Sequence, residues 1–503
     1  MLLVPCRSNR AALLAALALF LASLAPAGAE ESGNLLAGGS GDAGYCTPDS
    51  AAATTVPGWV VIEGSPAILC SSVAPFVTPD SAAPSPGLIA GGPYGASSLR
   101  QSVDVGTASP AIDGGGVSFA LSGWLGGWAD SPAQAVVTAT FLDGAGGTLG
   151  APVRLDGVTA ALRQGQTALV ARQVAGTLPR GTRRVAVELR FTDAKGGLVT
   201  GYADHLALTI AAPIAAAGLV PPQSTVPAFD HVFLVMMENT DFAQVTGDAK
   251  HAPFVNGLLA RGTLLAKYNA VYHPSDENYL AIAAGATLVQ GGVYFPKMHL
   301  TERNIGDEIE AKHKNWRAYE QGMGRPCNTT TRYDKYFEPD DAPFINFVSI
   351  AGDKARCRAH LVDTSQLGRD LTSAATTPNF AWLAADDYDD GEASGNGSPH
   401  SLRVQDRWLK ATLMPIFASK AWTEERSLLI LTWDESHATA DNHIATILVG
   451  SHGLVREGAV SEEAYDHYST ARTIEAALGL DPLTANDKYA QPINDAFIAP
   501  GVP

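Results

Sequence analysis

His231-Val232-Phe233-Leu234-Val235-Met236-Met237 runs directly into Glu238-Asn239. Its apolar residues fall at odd and even positions alike. A strand with one wet face would alternate, so this one reads as buried on both faces, the habit of a parallel sheet covered by helices. Residues 428–433 repeat the pattern and stop at Asp434-Glu435; residues 380–385 repeat it and stop at Asp386-Asp387-Tyr388-Asp389-Asp390. Apolar runs at 344–349 and 444–449 also read as strands, while 305–314, 401–417 and 470–478 carry helical patterns. Their alternation predicts an α/β domain over residues 229–503, a mostly parallel sheet with helices on both faces.

In open α/β sheets, ligands bind outside the carboxyl ends of the strands. If the three acid-tipped strands are parallel neighbours, their carboxylates crowd one edge and repel. A divalent metal of unspecified identity is the simplest compensation, and hard oxygens suit it. Val271-Tyr272-His273-Pro274-Ser275-Asp276-Glu277-Asn278-Tyr279 adds a hydroxyl at the start of a helix that should end near Gly285. Ser275 reads either as a plain helix cap or as a nucleophile in the positive field of the helix N-terminus. Eleven of the twelve histidines follow residue 230. His467 precedes the last helix and His443 precedes a strand, so either could bind metal or a phosphate oxygen.

Residues 30–212 differ. They are rich in Gly, Ala, Ser and Thr, with short alternating runs broken by Gly and Asp clusters, and predict an all-β sandwich. The Pro-rich stretch 213–228 reads as a linker, and 1–29 as a signal peptide, with Arg7 and Arg10 ahead of an apolar segment and Ala27-Gly28-Ala29 at its end. No other stretch could span a membrane, so a secreted or periplasmic protein is expected. Four cysteines then remain, and locality pairs Cys46 with Cys70 and Cys327 with Cys357, free buried thiols being the alternative. The net charge of −17 and the lack of any basic run exclude nucleic acid as a partner. With 37 acids against 23 bases after residue 228, the domain would repel an anionic substrate at long range, so positive charge has to be supplied locally.

Several of these segments together resemble the bacterial phosphoesterase family that includes acid phosphatases and phospholipases C, within the alkaline-phosphatase-like superfamily. The carriers are 229–239, His273-Pro274-Ser275 with Asn278-Tyr279, Asn304–Asp307 with Trp316–Glu320, Leu431–Glu435, Asp441–Ile444 and Asp466–Ser469. The resemblance implies a metal held by Glu238, Asn239, Ser275, Asp434 and Glu435, with Ser275 as nucleophile. It implies that His467 binds the substrate phosphate or a metal; His467 and His443 are the expected groups to stabilise the phosphate oxygens or protonate the leaving group. Asp386, Asp387, Asp390, His273 and Asn278 are the candidates for a second metal or for the substrate. Two family histidines are replaced by acids here, in Asp340-Asp341-Ala342-Pro343-Phe344 and Asp387-Tyr388-Asp389-Asp390. The N-terminal part resembles galactose-binding-like jelly rolls through Asn34-Leu35-Leu36, Val56-Pro57-Gly58-Trp59 and Gly201–Leu206. That likeness admits a glycan or cell-surface contact and a Ca2+ ion near Asp204. The expected function is metal-dependent hydrolysis of phosphate mono- or diesters through a serine. The alternatives are a phospholipase C-type phosphodiesterase and a glycan-binding protein with a degenerate enzyme domain.

Overall fold

A computed structural model describes residues 31–192, 197–288, 296–330 and 335–498. The signal segment 1–29 lies outside the described residues. The first ten strands form two five-stranded antiparallel sheets. One runs in the order Val60–Glu63, Ser97–Asp104, Arg184–Thr192, Gln134–Leu142 and Val153–Leu155. The other runs Ala67–Cys70, Gly87–Gly92, Val199–Ile210, Ser118–Gly127 and Ala168–Thr177. Inward residues of both, such as Leu99, Val137 and Leu189 with Ile89, Leu121 and Leu208, share one hydrophobic core.

The remaining eight strands build one sheet in the order Leu361–Asp363, Trp316–Glu320, Phe380–Ala384, His231–Met237, Ser427–Trp433, Thr446–Gly450, Thr263–Asn269 and Ala459–Asp466. The three acid-tipped strands are therefore adjacent, and they are parallel in register, with Val235 beside both Leu383 and Leu431. Every residue of His231–Met237, Ser427–Trp433 and Phe380–Ala384 is buried. Because successive side chains point to opposite faces, both faces are covered. Helices Asp276–Ala284, Ile305–Ala311, Pro399–Ala418 and His467–Leu478 contribute to the same core. Each fully buried Val, Leu, Ile or Phe stabilises the fold by about 1.5–3 kcal/mol.

Two sequence expectations fail in instructive ways. Thr446–Gly450 is a strand but runs antiparallel to both neighbours. An apolar run reports burial of two faces and carries no direction. Residues 344–349 are not a strand: Pro343–Asn346 is a 3-10 turn and Val348–Ala351 a short helix. Pro343 lacks the N–H a ladder needs. Phe344 is instead held between Trp316 and Trp382, with ring centroids 4.5 and 5.6 Å away. Both disulfides are present, Cys46–Cys70 and Cys327–Cys357. No helix among the described residues is long and apolar enough to cross a membrane.

Candidate active site

The carboxyl ends of the three central strands and the start of helix Asp276–Ala284 converge. Ser275 occupies the N-cap position, but its backbone is already helical (φ −61°, ψ −52°) and its side chain makes no capping bond. The hydroxyl instead donates to Glu238 Oε2 at 3.1 Å. The same oxygen accepts from Asn239 Nδ2 at 3.1 Å, and the Tyr279 hydroxyl donates to Oε1. Asn239 carries a positive φ of 40°, a conformation that Asn tolerates better than most residues. That turn aims its backbone N–H at Asp434 Oδ1, 3.0 Å away. Glu435 pairs with His273 Nδ1 at 2.5 Å. Glu238, Asn239, Ser275, Asp434, Glu435 and His273 thus form one connected group.

This group is heavily acidic. Burial, then Asp434, Asp390 and Asp341, hold the Glu238 carboxyl well above the usual range. Asp434 is pushed up to about 7 by burial and by Glu435. Asp341, Asp387 and Asp390 form a second cluster whose ligand atoms all lie within 4.8 Å of one another. Beside it, Asp276 and Asp340 are hydrogen-bonded to each other, and burial raises each to about 7. The strongest influences on Glu238, Asp341, Asp390 and Asp434 include no Arg or Lys among the described residues.

A divalent cation fits what is there. Asp434 Oδ2 is buried and meets no donor with hydrogen-bond geometry, although the Ser275 hydroxyl is close enough to favour its charged form. The donor set consists of carboxylate, amide and hydroxyl oxygens, which suits a hard cation. Like charges this crowded need such compensation.

Other residues singled out in the sequence lie elsewhere or do other work. His467 is fully buried, with Nδ1 on Asn278 Oδ1 at 3.2 Å and Nε2 on the Trp433 carbonyl at 3.1 Å. Burial lowers it to about 4, so it is neutral and only one of its nitrogens donates, to Asn278 Oδ1 or to the Trp433 carbonyl; both nitrogens lie against framework oxygens. His443 lies outside the carboxylate group: it stacks on Phe242 and its Nε2 meets the Ala266 carbonyl. Asn278 is a brace: its Oδ1 accepts from the backbone N–H groups of Val271 and Tyr272, and its Nδ2 donates to the Tyr272 carbonyl. Asp386 accepts from the backbone N–H groups of Tyr388 and Asp389, shaping the turn that presents Asp387 and Asp390. Asp204 holds no set of lone pairs for Ca2+, because its oxygens face donors from Ser85 and His205. Asp340 and Asp341 escaped the sequence reading as site residues. Their signal was the replacement of a family histidine by acids.

The family model described as the phosphoesterase family matches residues 248–481. The phosphatidylinositol-3-phosphatase of Mycobacterium tuberculosis is 30% identical over 274 residues, covering 54% of this chain and 85% of that protein. The chain belongs to the phosphoesterase family. As a phosphoesterase it is a hydrolase of phosphoric ester bonds. Ser275, Asp341, Asp387, Asp390, Asp434, Glu435 and His467 lie inside the matched span, whereas Glu238 and Asn239 precede it. A phosphate-repressible acid phosphatase of Penicillium chrysogenum is 27% identical, covering 51% of this chain and 60% of its own. A probable acid phosphatase of Kluyveromyces lactis is 25% identical, covering 52% and 61%. The chain thus spans about three-fifths of these fungal relatives. Among solved structures, a protein in the alkaline phosphatase superfamily from Vibrio parahaemolyticus aligns with a TM-score of 0.40 and 10% identity, over 53% of this chain and 70% of that one.

Proposed function

We propose that this phosphoesterase is exported and metal-dependent, and that it hydrolyses phosphate monoesters through Ser275. The observation that carries the reading is the Ser275 hydroxyl, which leaves its helix uncapped and donates to Glu238 beside Asp434. Glu238, Asn239, Asp434 and Glu435 would hold the cation. When bound, it offsets the carboxylate charge, lowers the serine pKa and polarises the phosphoryl group.

Ser275 Oγ attacks phosphorus in line as the bond to the leaving oxygen breaks, and its proton passes towards Glu238 Oε2. A phosphoseryl group forms, and water then releases inorganic phosphate. His273, 40% exposed and two residues from the nucleophile, protonates the leaving oxygen. Burial works against its charge, but the hydrogen bond and charge of Glu435 outweigh that and raise its pKa. His467 acts at one remove, buried between Asn278, which braces the 271–274 turn, and the strand that ends in Asp434. The two disulfides support a secreted or periplasmic protein.

The test is turnover of an aryl phosphate monoester and the matching diester, with chelator and then with Mg2+, Mn2+, Ca2+ or Zn2+ restored. Monoester turnover that vanishes with chelation and returns with one cation is expected. Preferential diester turnover would favour the phospholipase C-type reading. No turnover with any cation would overturn the enzymatic proposal.

A further inference from the structure

A cleft of about 560 Å³ separates the antiparallel sheets from the phosphoesterase sheet. Ile62, Glu63 and Tyr94 line one side of it, and Lys267, Asn269 and His443 the other. Tyr94 stands on the turn between strands Gly87–Gly92 and Ser97–Asp104. That turn is clamped: Gly92 has a φ of +84°, and a Cβ there would lie 1.8 Å from the Ser65 carbonyl oxygen. The Tyr94 ring meets His273 edge-on, with centroids 5.7 Å apart, and its hydroxyl meets the Asn442 side chain. His273 is two residues from Ser275, so Tyr94, which lines the cleft, also touches the segment that carries the nucleophile.

Residues 49–55, just ahead of the first strand, are bonded to the other half of the chain. Ala53 N–H donates to the Val271 carbonyl at 2.9 Å, Thr55 N–H to Asn486 Oδ1 at 3.1 Å, and the Tyr272 hydroxyl to Asp49 Oδ2 at 2.6 Å. Ala53, Val271, Ala281, Tyr468 and Ala490 form a small shared core behind these bonds. The N-terminal sheets are therefore anchored to the segment that carries the nucleophile. Tyr94 also lies outside the span matched by the family model.

The lining identifies the kind of group that would fit. Lys267, Asn269 and His443 and one aromatic ring line it, with Asn269 Nδ2 already on the Asp441 carbonyl and His443 Nε2 on that of Ala266, and Ile62 is its only branched aliphatic among the described residues. Such a surface gives an acyl chain little apolar area to bury. Glu63, which pairs with Arg190, and Asp441 set two carboxylates against the one ammonium of Lys267 in the lining, which disfavours a second anionic group. A neutral ring carrying several hydroxyls satisfies both conditions, with its polar edge on the donors and acceptors and its apolar face against the tyrosine.

We propose that this cleft receives the alcohol portion of the ester, a neutral polyhydroxylated ring, and that Tyr94 of the N-terminal sheets is the specificity residue that packs on it. The inference rests on the phosphoesterase reading of Ser275. Its test compares glucose 6-phosphate with ethyl phosphate, which shares the alkyl ester but lacks the ring. Tyr94→Ala is expected to lower kcat/KM for glucose 6-phosphate about tenfold more than for ethyl phosphate, mainly through KM. Lys267→Ser repeats the comparison from the opposite wall, and thermal melting of each variant verifies the fold.

A binding arm separates this inference from the catalytic one. Glucose 6-phosphate is titrated calorimetrically into Ser275→Ala with and without Tyr94→Ala, and a Kd weakened about tenfold is expected. Equal losses on both esters, an unchanged Kd, or no measurable binding of glucose 6-phosphate would each overturn the assignment of the cleft. A folded wild type inert towards every ester with every cation would overturn the serine mechanism instead, and the Kd comparison would still decide the cleft.

Discussion

Ser275→Ala is expected to lower kcat towards a phosphate monoester by at least about 10⁴-fold, with the melting temperature nearly unchanged. The two halves of this result are linked by geometry. A serine at an N-cap position ordinarily accepts a backbone N–H, and losing that bond costs about 0.5–2 kcal/mol. Here the hydroxyl makes no capping bond and donates to Glu238 Oε2. Truncation therefore removes little that holds the helix in place and removes the atom proposed to attack phosphorus. The capping interpretation requires the reverse: a destabilised protein with its turnover intact. Measuring kcat and thermal melting on the same preparation distinguishes them. Retained turnover in a folded variant would remove Ser275 from the mechanism.

Stripped of divalent cation, the protein is expected to lose stability as pH rises from about 4 to about 7. Asp434, Asp387, Asp276 and Asp340 are all pushed up to about 7, first by burial and then by neighbouring acids. Glu238, Asp341 and Asp390 are raised well above the ordinary range for the same reasons. In the unfolded chain these groups titrate near their ordinary values of about 4. The folded state therefore binds more protons between about pH 4 and 7, and the stability this confers is lost as pH climbs through the window. The total is on the order of a few kcal/mol, because neighbouring carboxyls share protons rather than titrating singly.

A bound cation replaces those protons, so its stabilising effect should be small at pH 5 and large at pH 8. Melting curves at both values, with chelator and with Mn2+, measure this. A metal-free protein equally stable at pH 5 and pH 8 would show that the carboxylates are not gathered as described.

Much of this site was legible because burial writes itself into strands. His231–Met237, Ser427–Trp433 and Phe380–Ala384 are apolar on both faces, and the change to Glu238, Asp434 and Asp386 marks where each apolar run ends. Adjacency was not legible. It depends on sheet order, which the runs do not encode, and this is why the antiparallel direction of Thr446–Gly450 was missed. Thr263–Asn269 and Ala459–Asp466, both partly exposed, lacked the continuous apolar signature altogether.

The role of Ser275 was ambiguous in the sequence because cap and nucleophile occupy the same place in the chain. The hydroxyl makes no capping bond and donates to Glu238, which supports the proposed nucleophile. His467 misled for a related reason. A histidine at a helix start suggests a phosphate contact, but both nitrogens of this buried ring lie against framework oxygens of Asn278 and Trp433. Asp341 was hidden because Pro343 turns its neighbourhood away from the strand that residues 344–349 suggested.

The most direct measurement is the anomalous difference density of crystals grown with Mn2+. One strong peak within coordination distance of Glu238, Asp434 and the Ser275 hydroxyl oxygen is expected. Mn2+ found only at sites that do not touch Ser275, or no peak at saturating Mn2+, would contradict the account.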